Sequence, residues 1–335
     1  PDFPARKAQT ALLISYSHWR RSQANEDFHR PESGVCLSFH NFGNSNDLGY
    51  GVGLQYQITF HQKLSERLSL TECFRPGLIY NTKPYHYLSN TKNIVSGAPF
   101  SALIGASMGL NYKMTSSLSL NLEATLWHAS NGHTGLPNVG MNSPMGMLSV
   151  QYRFDKSKID TLKFTRGSFD KKMGIVVMGS IGVNQAGGTT RPTNGQEYVK
   201  GLVSIGGSWR TRTTQRWTLT LDACYDQTYR LWNETQEWTS KNAFTESSAI
   251  ILMLGHEWIY QHWSLISNGG LNLYNPTLGK IVGRVEEPNI ANVIKRYVPG
   301  RFAVRYYFTH PWKSSRSGFV QLGIKSNFGQ ADFVE

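Results

Sequence analysis

Polar and apolar residues alternate along several long stretches of this chain. In segment 117–128 the even positions from 118 to 126 carry leucine or alanine, whereas the odd positions from 119 to 125 carry serine, asparagine, glutamate and threonine. Segments 52–60, 217–225 and 320–325 repeat this pattern. A period of two places successive side chains on opposite faces of a β-strand. The alternation therefore predicts a chain built mainly of β-strands.

The predicted strands are long for a soluble protein. Most span about 9–14 residues, whereas strands of globular proteins average about 5–6 and a tilted strand crosses a bilayer in about 9–11. Their length favours a membrane barrel. The predicted strands are 34–42, 50–61, 67–80, 101–113, 117–128, 143–154, 173–184, 199–210, 216–229, 248–259, 263–275, 300–309 and 317–328.

The predicted connections alternate in length, as they do in outer-membrane barrels, where short turns lie on one rim and long loops on the other. The short turns are 62–66, 114–116, 211–215 and 260–262. The long polar loops are 81–100, 129–142, 185–198, 230–247 and 276–299. Segment 155–172 breaks the alternation, because it is long and falls on the short-turn side.

These patterns predict an all-β fold, a single antiparallel β-barrel in the outer membrane of a Gram-negative bacterium. We expect 14 strands, with 12 as the alternative. Residues 1–33 are expected to form an irregular N-terminal leader, and residues 34–335 the barrel. The fourteenth strand begins near Ala331, and we expect it to be incomplete in this sequence.

Composition narrows the class of protein further. The chain has 41 aromatic residues (9 Trp, 16 Tyr and 16 Phe), far too many for a disordered protein. Its longest apolar stretches, such as 250–254, are much shorter than the ~18 residues of a spanning helix. The three cysteines have no metal-ligand spacing and lie in predicted strands, so we expect buried thiols, with one disulfide as the alternative. No metal and no cofactor is implied.

The chain is basic, with a formal net charge of +12. Such a surplus can attract nucleic acid, but no run of five or more Lys or Arg occurs. Scattered positive charge suits acidic lipid head groups equally well. We therefore expect membrane lipid as the partner and no nucleic acid.

One short segment could carry out chemistry. His128 and Ser130 lie two apart at the end of a predicted strand, so they share a face, and parity places that face towards lipid. A serine nucleophile with a histidine base could attack an acyl ester without extracting it from the membrane. Asn142 shares the parity of the facing strand and could orient the imidazole, whereas Glu123 lies on the opposite face. The simpler alternative is an interfacial histidine beside a turn.

The stretch from His128 to Asn142 resembles the signature of the lipid A 3-O-deacylase family, the PagL-like acyloxyacyl hydrolases. Segments 75–80 and 82–85 with Asn90 and Asn93 resemble its longer Bacteroidota members, and segment 325–333 resembles their closing hairpin. The similarity is clearest over residues 45–154. The matching signature positions are His128, Ser130, Asn131, Pro137, Asn138, Gly140, Tyr152 and Phe154.

The resemblance implies an esterase that removes an acyl chain from the lipid A of lipopolysaccharide, with Ser130 as nucleophile and His128 as base. The third catalytic position falls on Asn142, where the family has glutamate. That departure leaves open whether the site is active, slow or catalytically inactive. Backbone N–H groups of Asn131 and Gly132 are the candidate oxyanion donors.

Three more residues are candidate contacts to the lipid head group. His133 lies in the loop of the same hairpin, with exposed loop histidine as the simpler expectation. Lys83 and Arg191 lie in predicted outer loops, where they could pair with lipid A phosphates.

Two other functions remain open. A barrel whose site is catalytically inactive would be a subunit or scaffold of a complex with other outer-membrane proteins. A porin or channel is the weaker alternative, since Arg301 and Arg305 share a polar face that should point into the lumen.

Overall fold

The computed structural model describes residues 4, 6–19, 31–154, 172–187, 190, 193, 195–212, 214–238, 242–284, 289–311, 316–327 and 330–334. These residues contain fifteen strands and four helices and fall into two compact units. The first unit holds strands β1 (Thr10–Trp19), β2 (Glu32–Asn41), β3 (Tyr50–Lys63), β4 (Leu68–Asn81), β5 (Phe100–Lys113), β6 (Leu118–Ser130) and β7 (Met141–Tyr152).

The second unit holds the remaining strands and all four helices. Its strands are β8 (Met173–Gln185), β9 (Glu197–Arg212), β10 (Gln215–Asp226), β11 (Ser248–Tyr260), β12 (Trp263–Tyr274), β13 (Pro299–Tyr307), β14 (Phe319–Asn327) and β15 (Gln330–Val334). Its helices are α1 (Gln227–Thr235), α2 (Ala243–Glu246), α3 (Pro276–Arg284) and α4 (Ile290–Tyr297).

Strands β1 to β7 form one antiparallel sheet in chain order. The sheet curls until its two edge strands approach each other. Gln9 donates to the Met141 sulfur at 3.7 Å near the start of both edge strands, and the Arg153 guanidinium lies 4.7 Å from the Trp19 ring near their ends. With an odd number of alternating strands, β1 and β7 run in the same direction where they meet.

The inner face of this sheet carries polar and charged side chains that pair with one another. Arg75 lies 3.2 Å from Glu123, and Ser107 donates to the same carboxylate at 2.7 Å. Both charged side chains are buried, so the ion pair and its hydrogen bonds offset the cost of removing them from water.

Strands β8 to β15 form a closed antiparallel barrel, in which β15 pairs with both β14 and β8. An eight-stranded barrel has an interior just wide enough for side chains. Here it is filled partly by buried ion pairs, with Arg301 Nη2 2.8 Å from Asp222 and Arg216 Nε 2.8 Å from Glu257.

Both units present apolar side chains outward and polar side chains inward. This is the reverse of a soluble protein, whose strands bury the apolar face. Outward-facing examples that are more than half exposed are Leu54, Leu78, Leu122, Leu126, Leu148, Val150, Ile175, Ile181, Val203, Ile205 and Leu322.

These observations confirm the predicted all-β antiparallel fold and most of the strand positions. The structure differs from the predicted single barrel in dividing the strands between two sheets. The irregular connection 155–172 falls at this division, between β7 and β8, and residues 155–171 of it lie outside the described residues.

Two further differences concern local structure. Strand β1 lies within residues 1–33, where we predicted an irregular leader. The long loops 230–247 and 276–299 contain helices, and α1 begins at Gln227, inside the predicted strand 216–229. Asparagine or aspartate side chains cap the start of three helices, and Pro276 begins the other. The strand predicted near Ala331 is present as β15.

The cysteines are buried thiols, as expected. Cys36, Cys73 and Cys224 are all buried with free thiols. No helix in the described part of the chain is both long enough and apolar enough to cross a membrane.

Candidate functional site

The β6–β7 hairpin brings together His128 and Asn142. The two residues are direct partners in the antiparallel register, and His128 Nδ1 lies 2.8 Å from Asn142 Oδ1. Both side chains are exposed, on the same outward face as Leu122 and Leu126. His128 and Asn142 therefore lie on the outward face, as the alternation along their strands predicts.

This hydrogen bond fixes the protonation pattern of the neutral imidazole. An amide oxygen can only accept, so His128 Nδ1 carries the proton. The other ring nitrogen, Nε2, then holds the free lone pair that a general base requires.

Ser130 lies two residues further along β6, at the point where the strand ends. Its hydroxyl contacts the side-chain amide of Asn138, with Asn138 Nδ2 3.0 Å and Oδ1 3.3 Å from Ser130 Oγ. Ser130 is half-buried, whereas Asn138 is only 5% exposed. A buried amide therefore holds the serine from the protein side.

Gly140 lies close to both candidate catalytic side chains, and a Cβ atom built on it would also lie only 3.2 Å from Ala129 O. A Cβ atom built on Gly140 would lie 3.5 Å from His128 Cε1 and 3.6 Å from Ser130 Cβ. Both side chains thus adjoin this position. Gly140 has φ of 72°, a left-handed conformation that glycine adopts without strain.

The long loop between β4 and β5 supports the site loop. Val139 N donates to Ile94 O at 3.2 Å, and Gly140 N donates to Val95 O at 3.1 Å. Asn93 Oδ1 in turn accepts from Val95 N at 3.0 Å. Two adjacent loops of the same unit therefore fix the backbone around Gly140.

The predicted oxyanion donors have other contacts. Asn131 N donates to Asn138 Oδ1 at 3.2 Å, and Asn131 Nδ2 donates to Gly135 O at 2.6 Å. The Asn131 N–H is therefore engaged within the loop. Gly132 has φ of 66° and belongs to the second compact unit, apart from Ser130.

The predicted head-group contacts have different outcomes. His133 is only 4% exposed, so the expectation of an exposed loop histidine is wrong, and its burial removes it from any surface contact. Lys83 is exposed, and its ammonium group donates to Asn46 O at 3.2 Å. Arg191 lies outside the described residues.

Sequence reasoning gave no role to Asn138 and Gly140. Both belong to segment 137–140, which was noted for its resemblance to the family signature, so the sequence drew attention to them without giving their roles. Their functions depend on how the loop folds back over Ser130, which spacing along the chain does not reveal. Among the described residues, no group of three or more His, Cys, Asp or Glu side chains is arranged to hold a metal ion.

The fold defines an antiparallel β-barrel protein. Residues 173–335 match the family model described as acyloxyacyl hydrolase, C-terminal domain. This match confirms the resemblance to PagL-like acyloxyacyl hydrolases, and it covers the closed barrel β8–β15. No curated protein and no solved structure gives a significant match. The His128, Ser130 and Asn142 cluster lies in the other unit, outside the matched residues.

Proposed function

We propose that this protein is an outer-membrane esterase that removes an ester-linked acyl chain from lipid A. The family match supports hydrolysis of a lipid A-type substrate. The observation that carries the proposal is the His128–Asn142 hydrogen bond of 2.8 Å, with His128 and Ser130 both adjoining Gly140.

The outward apolar faces support a location in the membrane. Strands β3 to β12 have 12–16 residues each, enough for a tilted strand to cross the hydrocarbon layer. Their alternation of apolar outward and polar inward residues is that of a transmembrane barrel. In this setting His128 and Ser130 lie on the lipid-facing wall at the long-loop end, where an acyl ester of the outer leaflet can reach them. Long loops lie on the outer side of such barrels, so the substrate is the lipid A of a Gram-negative outer membrane.

The first chemical step forms an acyl-enzyme. Ser130 Oγ attacks the ester carbonyl carbon while His128 Nε2 accepts the hydroxyl proton. The tetrahedral intermediate then collapses, and the protonated imidazole gives that proton to the departing sugar oxygen. The products of this step are a lipid A hydroxyl group and an ester of Ser130.

The second step regenerates the enzyme. Water attacks the acyl-Ser130 carbonyl while His128 Nε2 accepts its proton, and the imidazolium then returns a proton to Ser130 Oγ. The released product is a free fatty acid. No metal or cofactor takes part in either step.

Asn138 is our candidate for stabilising the oxyanion. Its Nδ2 group lies 3.0 Å from Ser130 Oγ, so it is close to where the carbonyl oxygen becomes negative. The buried amide is held in place before the reaction, which is what makes such donors effective. It replaces the Asn131 N–H, which already donates to the same Asn138 side chain.

The neutral side chain of Asn142 affects how fast the proposed hydrolysis can be. Its oxygen orients the imidazole, as the asparagine of Cys-His-Asn enzymes does. It has no charge to stabilise the imidazolium that forms during the reaction. This neutral residue favours one alternative function, a non-catalytic scaffold that binds other outer-membrane proteins.

A two-part experiment separates the esterase from the scaffold. Purified protein is incubated with lipid A in mixed micelles, and released fatty acid is measured by mass spectrometry. The esterase predicts release by the wild type and none by Ser130→Ala or His128→Ala. The scaffold predicts no release by any of the three, together with partner proteins that co-purify with all of them.

A further inference from the structure

Helix α4, in the connection between β12 and β13, carries an apolar stripe along one side. Because an α-helix has 3.6 residues per turn, Ile290, Val293, Ile294 and Tyr297 fall within an arc of about 100° around its axis. The helix contains two basic residues and no acidic residue. The rest of its surface is formed by Ala291, Asn292, Lys295 and Arg296.

The apolar stripe points away from the protein. Ile290 is 79% exposed, Val293 53% and Tyr297 44%, whereas Asn292 and Lys295 on the polar side are partly buried. A surface helix of a water-soluble protein does the opposite and turns its apolar stripe towards the core. The helix therefore has the same inverted arrangement as the strands, with apolar residues outward and polar residues towards the protein.

The helix is held at the rim of the closed barrel. Asn272 Nδ2 of β12 donates to Arg296 O at 2.9 Å, near the end of α4. The neighbours of Asn272 along β12, Leu271 and Leu273, are exposed on the outer wall, and so is Val298, which joins α4 to β13. Exposed apolar side chains thus continue from the outer wall of the barrel to the end of the helix.

We propose that α4 is an interfacial helix, which lies along the edge of the bilayer with its apolar stripe among the acyl chains. A basic amphipathic helix of this kind binds a lipid surface through its apolar side, while its cations face anionic head groups. Arg296 flanks the stripe and is exposed, and its guanidinium lies 5.2 Å from the Tyr297 ring. Tyrosine is itself favoured at the level of the head groups.

The inference rests on the membrane location proposed above, but not on the chemistry of Ser130. It extends the lipid contact from the strands to a connection outside them. The connection between β12 and β13 then anchors the long-loop end of the closed barrel at the membrane surface.

The test measures which solvent surrounds each side of α4 in the full-length protein. A nitroxide label is attached to an introduced cysteine, and the protein is reconstituted in vesicles of phosphatidylcholine and phosphatidylglycerol. Electron paramagnetic resonance then compares collisions with oxygen, which concentrates among acyl chains, and with a nickel chelate, which stays in water. We expect the oxygen-to-nickel ratio at Val293→Cys to exceed that at Ala291→Cys at least about threefold, because only the apolar side enters the bilayer.

Ala291→Cys is the matched control, since Ala291 is exposed on the same helix, about 160° around the axis from Val293. Leu271→Cys on β12 reports the outer wall of the barrel. The wild-type protein shows any labelling of the three buried native cysteines. Ile290→Cys repeats the measurement on the apolar stripe if Val293→Cys does not fold.

Three results would overturn the proposal. Equal ratios at positions 291 and 293, with Leu271→Cys in lipid, would overturn it alone. Leu271→Cys in water would overturn the membrane location together with it. Protection of Val293→Cys from both reagents would show that a protein surface, from a second copy or another chain, covers the stripe. Fatty acid release is measured separately, so its absence from a protein with the expected ratios would overturn only the proposed hydrolysis.

Discussion

His128 and Asn142 face each other directly across the β6–β7 hairpin, joined by a hydrogen bond of 2.8 Å between Nδ1 and Oδ1. The bond leaves His128 Nε2 as the basic nitrogen. Because both residues lie on the outward face, the pair is available to a substrate in the surrounding lipid rather than to one in the interior. The proposed hydrolysis depends on this relationship.

Replacing Asn142 tests whether it orients the imidazole. We expect Asn142→Glu to raise kcat about tenfold, because a hydrogen bond to a charged group contributes roughly 1.4 kcal/mol more than a neutral one. Asn142→Ala should lower kcat about tenfold, because the His128 imidazole loses its hydrogen bond from Nδ1 to Asn142 Oδ1. Fatty acid release at saturating lipid A measures both. A rate that is the same in all three proteins would contradict the role assigned to Asn142.

Replacing Gly140 tests whether His128 and Ser130 act together at this position. Gly140→Ala introduces a methyl group that borders both side chains, at a left-handed φ that costs about 1–2 kcal/mol for other residues. We expect the activity per folded molecule to fall by more than tenfold, so that the loss is separate from any effect of the strain on the amount of folded protein. Gly146→Ala on β7, the strand that begins directly after Gly140, is the control, because its Cβ meets nothing within 4 Å. Equal activity of the two variants would contradict a reaction at the position that His128 and Ser130 share.

Glu123 provides a test of the alternative third residue. It faces the interior, where it binds Arg75 at 3.2 Å and accepts from Ser107 at 2.7 Å. Glu123→Ala leaves a buried guanidinium without its charge partner, which should lower the free energy of unfolding by about 3–5 kcal/mol. Activity per folded molecule should stay at the wild-type level. Loss of activity in a fully folded variant would make Glu123, not Asn142, the partner of the histidine.

The interior of the closed barrel predicts no steady ion conduction. Arg301 is buried with Asp222 at 2.8 Å, and Arg305 is buried with Gln321 at 2.8 Å. Arginine side chains thus lie in the lumen as predicted, but they are paired within a narrow barrel. Planar bilayer recordings should show no discrete conductance steps. Steps that change in size with Arg301→Ala would instead support the channel.

The strands followed from the sequence because the alternation is strong. Segment 117–128 corresponds to β6, and its parity predicts that His128 faces Asn142, as the register shows. Strand β1 was missed because Leu12 and Leu13 are adjacent, which breaks the period of two. The division into two sheets was not predictable from alternation, since strands of both sheets have the same pattern. The one irregular feature of the sequence at this division is the unusually long connection 155–172 between β7 and β8.

The candidate site was predictable in part. Two-residue spacing identified His128 and Ser130, and the family signature drew attention to the loop that follows. The role of Asn138 depends on the loop returning its amide to within 3.0 Å of Ser130. His133, which is 4% exposed, is likewise placed by contacts distant in the sequence, since its backbone oxygen accepts from Gln185 N at 3.1 Å, and no local pattern indicates this.

The most direct test is mass spectrometry of lipid A from cells that express the wild-type protein, the Ser130→Ala variant or neither. The proposed function predicts that lipid A loses the mass of one acyl chain in cells with the wild-type protein, and in those cells alone. That result would also show that Asn142 is sufficient as the third residue. Identical lipid A spectra from all three strains, with the wild-type protein folded in the outer membrane, would contradict the proposed hydrolysis.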